Sequence, residues 1–344
     1  VPGSLKIFDV SWFLHYGSKS IKTRDYAFAG YPMGGIKFLV SNVLQELITY
    51  SDVICCFDSR TNKHVFMPEY KMNRPREAYI QNQAQYIYNM MMKCGICCYK
   101  VDGAESDDLI YSSVKKYRTI FHEITCYSND RDIAHNVFNN VKVSAACDGG
   151  MDITPSNFSF AVQTGDVVEY NTISAYKVLI KDSSDSIRLF RSESGLNGRE
   201  IYSKYVLWGQ ETLKDNFKRP YLYADESIFR YFLNTLNLSE KDMTELDNRI
   251  KVVFPKEFPD VPAPSNRESL ILDNLSKLLT VLSDDIYLSR LSLKKCPLSS
   301  EEFNEFKVNA EVLRDGTFAV DNDLPVHDSF ISFDDDEGLY LRYF

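Results

Sequence analysis

The opening third of the chain repeats one pattern, and that pattern restricts the fold more than any other feature. A short, nearly unbroken apolar run ends at or just before an acidic residue, and a stretch with apolar residues at helical spacing follows. The runs are LKIF (5–8), DVICCF (52–57), GICCYKV (95–101) and EITCYS (123–128). They are too short for helices and too continuously apolar for strands with one wet face, so they read as strands buried on both sides. Residues 35–50, 79–93 and 105–117 carry the helical spacing between them. Strand–helix alternation of this kind predicts an α/β fold with a mainly parallel central sheet and helices on both faces. In such sheets, ligands gather at the carboxyl ends of the strands.

The remainder is less uniform. Residues 141–190 are irregular apart from a short helix expected over 172–181, while 222–236, 240–250 and 267–292 read as helices. The stretch FPKEFPDVPAPSN (254–266) holds four prolines and reads as a loop or linker. We therefore divide the chain into an α/β region at 5–204, a mostly helical region at 205–327, and an acidic-then-aromatic tail at 328–344. With 344 residues and 44% apolar content, a substantial core is expected. The formal net charge of −9 argues against a protein that coats nucleic acid through bulk positive charge, but leaves room for a local basic patch. No charged start followed by an apolar run marks an export signal, so a cytoplasmic location with reduced cysteines is the expectation for the eight thiols. Cys94, Cys97 and Cys98 form a CxxCC that reads either as a metal or redox seed or, with no second Cys or His pair nearby, as small side chains buried in a strand.

Acidic residues fall where the strands end. Asp9 closes the first strand and Asp58 the second; Glu105, Asp107 and Asp108 follow the third, and Asp130 and Asp132 the fourth. A later pair, Asp182 and Asp185, is spaced three apart at an expected helix end. One such residue is ordinarily a helix cap or a turn residue. Nine gathered at one edge would repel each other and raise each other's pKa values. Hard divalent cations relieve that repulsion, and magnesium or manganese suits an all-oxygen set. Two such ions about 4 Å apart can activate a water and stabilise the leaving oxygen of a phosphodiester. The other reading is that the acids cap helices separately and never converge.

These motifs together resemble the 5′ nuclease superfamily, which includes flap endonucleases, the 5′-nuclease domain of bacterial DNA polymerase I, and the bacteriophage 5′ exonucleases also called phage RNase H. The matching stretches are Asp9-Val10-Ser11, Phe57-Asp58, Pro68-Glu69-Tyr70-Lys71-Met72-Asn73-Arg74-Pro75, Gly103-Ala104-Glu105-Ser106-Asp107-Asp108, Asp130-Arg131-Asp132 and Asp182-Ser183-Ser184-Asp185-Ser186-Ile187, in family order over residues 5 to about 190. The resemblance implies that Asp9, Asp58, Glu105, Asp107 and Asp130 form a first metal cluster, with Asp108 acting directly or through water. It implies that Asp132, Asp182 and Asp185 form a second. It places Lys71 and Arg74 on the scissile phosphate or 5′ strand, Tyr70 as a stacking partner for a base, and an arch at about 60–95 over the site. Arg60, Lys63 and Arg76 add a local basic patch. Lys181 replaces the glycine that usually precedes the Asp-Ser-Ser-Asp, and of the family's Gly-rich duplex-gripping hairpin only Gly195 and Gly198, with Arg199 beside them, are left as candidates.

The implied activity is hydrolytic: a metal-dependent 5′→3′ exonuclease and flap endonuclease acting on DNA and RNA–DNA hybrids in replication or repair, as a monomer using two magnesium or manganese ions. The tail reads either as a docking peptide for a sliding clamp or single-strand-binding protein, or as a solvated terminus. The alternative from another class is a non-catalytic scaffold that binds branched DNA. A single-strand RNA endonuclease of the smaller related superfamily fits less well, because that fold needs neither the arch stretch nor the Asp-Ser-Ser-Asp.

Overall fold

The computed structural model describes residues 3–28, 31–72, 78–137, 139–144, 152–154, 159–161, 167–169, 172–180, 182, 185–212, 225–296 and 298–302. Arg74, Arg76 and the tail at 328–344 lie outside the described residues. In chain order the elements are β1 (Ser4–Asp9), α1 (Val10–Lys19), β2 (Ala27–Phe28), β3 (Tyr31–Pro32), α2 (Gly34–Ile48), β4 (Asp52–Cys56), α3 (Ala78–Lys93), β5 (Cys98–Tyr99), α4 (Ser106–Tyr117), β6 (Glu123–Tyr127), a 3-10 turn (Arg131–Asn136), β7 (Val141–Ser144), β8 (Ser159–Ala161) and β9 (Val167–Glu169). There follow α5 (Ile173–Leu179), α6 (Gly198–Thr212), α7 (Glu226–Asn234), α8 (Glu240–Val253), α9 (Leu272–Val281) and α10 (Asp285–Arg290).

The principal sheet has five strands in the order β5-β4-β1-β6-β7, every neighbouring pair parallel. Its central strands are buried on both faces because alternate residues feed two different cores, as the period of two demands. In β4, Val53 and Cys55 enter one core while Ile54 and Cys56 enter the other. The first core lies against α1, α2 and α3, and the second lies against α4 and the 3-10 turn. A third core gathers α5, α6, α7 and α8. No helix among the described residues is long and apolar enough to cross a membrane.

Three features depart from the sequence expectations. The run at 95–101 yields only the two-residue β5, because the proline-rich stretch takes over the edge of β4: Val53 and Ser265 exchange backbone hydrogen bonds at 2.8 and 3.0 Å. That stretch is therefore a strap rather than a linker. Its prolines bar it from helix, its Phe258 and Val261 pack into the second core, and Tyr117 Oη donates to the Pro262 carbonyl at 2.7 Å. The helical pattern at 267–292 breaks at Ser283, whose φ of +48° ends α9, and Asp284 caps a new helix by accepting from Tyr287 N. Both α9 and α10 pack into the first core, so helices from the far end of the chain cover the face of the sheet built by its beginning. Helices α1 and α6 and the edge strand β7 went unread in the sequence; β7 alternates only Val141 and Val143 with Lys142 and Ser144.

Glycine sets the approach of α1 to α2. A Cβ on Gly35 would meet the Leu14 carbonyl oxygen at 2.5 Å, and a Cβ on Gly17 would meet Gly35 Cα at 2.9 Å. Gly35→Ala gains about 1 kcal/mol of helix propensity, but it drives backbone against backbone, an overpacking cost of about 1–3 kcal/mol. The variant is expected to unfold at lower urea concentration than the wild type with an unchanged m-value. A midpoint at or above wild type would show that α1 and α2 can separate freely.

Candidate metal centre

The sheet brings its carboxylates to one edge. Asp9 ends β1 and caps α1, accepting from Trp12 N at 3.4 Å. It also accepts from Ser128 Oγ at 2.8 Å and Ser106 Oγ at 3.1 Å, so serines from the ends of two other elements converge on it. Asp58, two residues past β4, is exposed and accepts from Ser106 N at 2.7 Å and from Ser11 Oγ. Asp130 follows β6 and caps the 3-10 turn by accepting from Asp132 N at 3.0 Å. That turn is tight enough to return Asp132 to the same place.

Among the described residues, Asp107, Asp130 and Asp132 each offer a carboxylate oxygen within 4.8 Å of the other two. Their charges cost energy at that distance. Burial, then the charges of Asp130 and Asp9, push the Asp107 carboxyl well above its ordinary value. Burial and Asp130 raise Asp132 to about 7, and burial, Asp58 and Asp130 raise Asp9 to about 7. Electrostatic strain of this kind, in an all-oxygen donor set, fits a hard divalent cation.

Asp9 and Asp58, expected in the first cluster, lie outside this trio, and Asp132, expected in the second, joins it; Glu105 and Asp108 have partners of their own. Glu105 caps α4 and is gripped by Lys63 Nζ at 2.6 Å, Lys71 Nζ at 2.6 Å and Tyr70 Oη at 3.0 Å. Burial pushes its carboxyl up, but Lys71 and Lys63 more than reverse this and hold it far below the usual range. Asp108 is fully buried and accepts from the backbone N–H groups of Glu105 at 3.1 Å and Lys256 at 2.8 Å, which ties α4 to the strap. An ordinary helix start turns residues 105 and 108 away from residue 107.

The same network revises two further expectations. Lys63 is 4% exposed and paired with Glu105 and, at 3.6 Å, with Asp108, so it is an internal counterion rather than part of a surface patch. Tyr70 is 4% exposed, packed with Met67, Ile187 and Val252, and its hydroxyl donates to Glu105. Lys71 adopts a left-handed backbone, φ +53°, and its N–H donates to the Asp185 carbonyl at 3.1 Å. The base of the arch stretch is thereby tied to both groups of acids.

Asp182 and Asp185 lie in a tight turn after α5 rather than at a helix end. Asp182 and Ile187 exchange backbone hydrogen bonds at 2.9 and 2.7 Å, and Asp185 N donates to Asp182 Oδ1 at 3.3 Å. Both acids, together with Asp132, meet Lys177 Nζ. Lys177 was missed in the sequence, as were Ser106 and Ser128. The available signal was a single charged residue in α5, five residues ahead of Asp182. His135 is a further resident of this region. Burial lowers its pKa to about 4, and its Nε2 has no hydrogen-bond partner.

Four described candidates remain. Arg60 is exposed. Gly195 takes φ +90° in a turn, and Gly198 opens α6 where a Cβ would meet the Leu179 carbonyl oxygen at 2.0 Å; Arg199 is exposed beside it.

Comparison with known proteins accords with this arrangement. The flap endonuclease Xni of Yersinia pseudotuberculosis is 28% identical over 110 residues, which is 30% of this chain and 44% of the relative. The Xni protein of Yersinia pestis (strain Angola) is 27% identical over 110 residues, 30% of this chain and 50% of that relative. The chain thus spans half or less of the length of these curated relatives. Among solved structures, the T5 D15 protein co-crystallised with metal ions is 16% identical, with a TM-score of 0.47 over 84% of this chain and 98% of that one, a likeness too loose to add to the assignment. The family model of the 5′-3′ exonuclease N-terminal, resolvase-like domain matches residues 12–163, which carry Asp58, Glu105, Asp107, Asp108, Asp130 and Asp132. Residues 12–163 belong to the family of 5′-3′ exonuclease N-terminal, resolvase-like domains.

Proposed function

We propose that the chain is a divalent-metal-dependent, structure-specific 5′ nuclease that hydrolyses phosphodiesters in DNA or RNA–DNA hybrids at 5′ ends or flaps. The observation that carries this reading is the meeting of Asp107, Asp130 and Asp132 at the carboxyl edge of a parallel sheet, with Lys71 held beside them through Glu105. A divalent cation held by those three carboxylates would polarise a phosphodiester oxygen and make water a better nucleophile. Magnesium or manganese suits the donors, and two ions would be the full complement for the acids gathered here.

The chain's own groups have separable tasks. Asp9 orients Ser106 and Ser128, and through them the start of α4 and the end of β6 that carry Asp107 and Asp130. Glu105 holds the Lys71 ammonium near the acids, where its coulombic influence reaches Asp107. We assign Lys71, with Arg74 from the arch stretch, to the phosphate of the 5′ strand, as charge-assisted donors to a developing negative charge. Arg60, Arg199 and the N-terminus of α6 at Gly198 are the proposed contacts to flanking phosphates. Clamp or single-strand-binding partners, a monomeric state and a cytoplasmic location remain part of the same proposal.

The test is cutting of a 5′-labelled flap duplex and its RNA-primed counterpart. Magnesium is expected to give products and EDTA none. Asp107→Asn and Lys71→Ala are each expected to cut at least about 10²-fold more slowly. Substrate that is bound but uncut in both magnesium and manganese would contradict the reading and favour the non-catalytic scaffold.

The raised carboxyls also make a pH prediction. Asp9 and Asp132 titrate near 7 in the folded, metal-free chain, against about 3.9 for an unperturbed Asp. Between those values the folded state binds more protons than the unfolded one, so its stability falls as the pH rises through that window. His135, lowered to about 4, acts in the opposite direction only below its ordinary 6.5, and the two raised carboxyls of Asp9 and Asp132 outweigh it. In EDTA the protein is expected to melt at a lower temperature at pH 7.5 than at pH 5.5, with manganese restoring the loss at pH 7.5. A Tm that rises over that interval without metal would contradict the electrostatics described here.

A further inference from the structure

The second group of acids is already neutralised from inside the protein. Lys177 Nζ lies 2.7 Å from Asp182 Oδ2 and 3.0 Å from Asp185 Oδ2, and it also pairs with Asp132 Oδ2. One ammonium thus occupies the point where three carboxylates meet. The lysine is not a visiting surface side chain. Its side chain is 13% exposed, and its helix is flanked by the core residues Tyr176, Val178 and Leu179. Arg249, itself buried, clamps that helix by donating to the Val178 carbonyl at 3.0 Å and the Arg188 carbonyl at 2.6 Å. The backbone that presents Lys177 is therefore fixed, and only the flexible aliphatic stem can move.

An ammonium and a dication cannot share one set of oxygens, since they repel at contact distance. Asp132 takes part in both groups, and its two oxygens can serve different cations. We infer that Lys177 is a resident cation standing where a second divalent ion would bind: the chain takes one divalent cation tightly at Asp107, Asp130 and Asp132, and a second enters between Asp132, Asp182 and Asp185 only by displacing the Lys177 ammonium. This inference rests on the metal-dependent reading above. It makes Lys177 a positioning residue that sets ion stoichiometry, and it touches no reacting atom. The three ion pairs hold burial's downward pull on the lysine in check and keep it charged well beyond its ordinary range.

The experiment counts Mn2+ bound to the full chain at pH 7.5, from the loss of the free-ion signal in electron paramagnetic resonance. The wild type is expected to bind one ion tightly and a second at least about tenfold more weakly. Lys177→Met is expected to bind two, with the second site tightened by at least about tenfold, while Lys177→Arg keeps the wild-type pattern. Lys177→Met leaves three acids without their cation and can fail to fold before metal is added; in that case the wild-type titration, together with Lys177→Arg, still puts the inference at risk. Two equally tight ions in the wild type would overturn the inference and leave the nuclease proposal standing. So would one ion in both wild type and Lys177→Met, the result of a merely structural role. No Mn2+ bound to wild type would overturn the metal centre itself, and this inference with it.

Discussion

Repulsion among carboxylates at the carboxyl edge of the sheet is the constraint to which the rest of the architecture answers. Parallel strands end side by side, so any acid that closes one strand is delivered next to the acid that closes its neighbour. Left alone, such a group would protonate or spread apart. This chain instead distributes positive and hydrogen-bonding partners among them. Lys63 and Lys71 take Glu105, Lys177 takes Asp132, Asp182 and Asp185, and serines take Asp9 and Asp58. Asp107 and Asp130, with Asp132 shared between the two groups, form the part whose charge is least offset, and that imbalance defines where a cation belongs.

The less obvious parts of the fold serve this edge. The strap at 254–266 completes the short β5 edge and fixes α4 through Asp108, so the helix start that carries Glu105 and Asp107 cannot drift. Helix α8 holds α5 through Arg249 and packs Val252 under Tyr70, linking the lysine-bearing helix to the base of the arch stretch. Burying ion pairs is costly unless their geometry is good and their remaining hydrogen bonds are met. Glu105, with three donors at 2.6–3.0 Å, meets that condition.

Much of this was legible in the sequence, and the reasons differ by element. The central strands were readable because residues such as Val53 to Cys56 are apolar without interruption, and the acids because each stands at a strand end. The parallel order then followed from the intervening helices. What could not be read was how a set of acids divides its labour. Glu105, Asp107 and Asp108 are nearly consecutive, yet helix geometry sends one to two lysines, one to the carboxylates of Asp130 and Asp132 and one to the strap. Lys63 and Tyr70 look like surface groups in a polar stretch, and only packing against Asp108 and Val252 makes them internal. The strap was unreadable because prolines announce extended backbone but not what lies beneath it. Lys177 carried a faint signal, a single charge in its helix, whose meaning depends on three acids brought to it by the fold.

The central claim is that Asp107, Asp130 and Asp132 form a binding site for a divalent cation. Anomalous diffraction from crystals grown with manganese tests it most directly. The account predicts a manganese peak among the carboxylates of these three residues. Ordered electron density for all three side chains with no peak between them, or manganese bound only elsewhere on the protein, would contradict it.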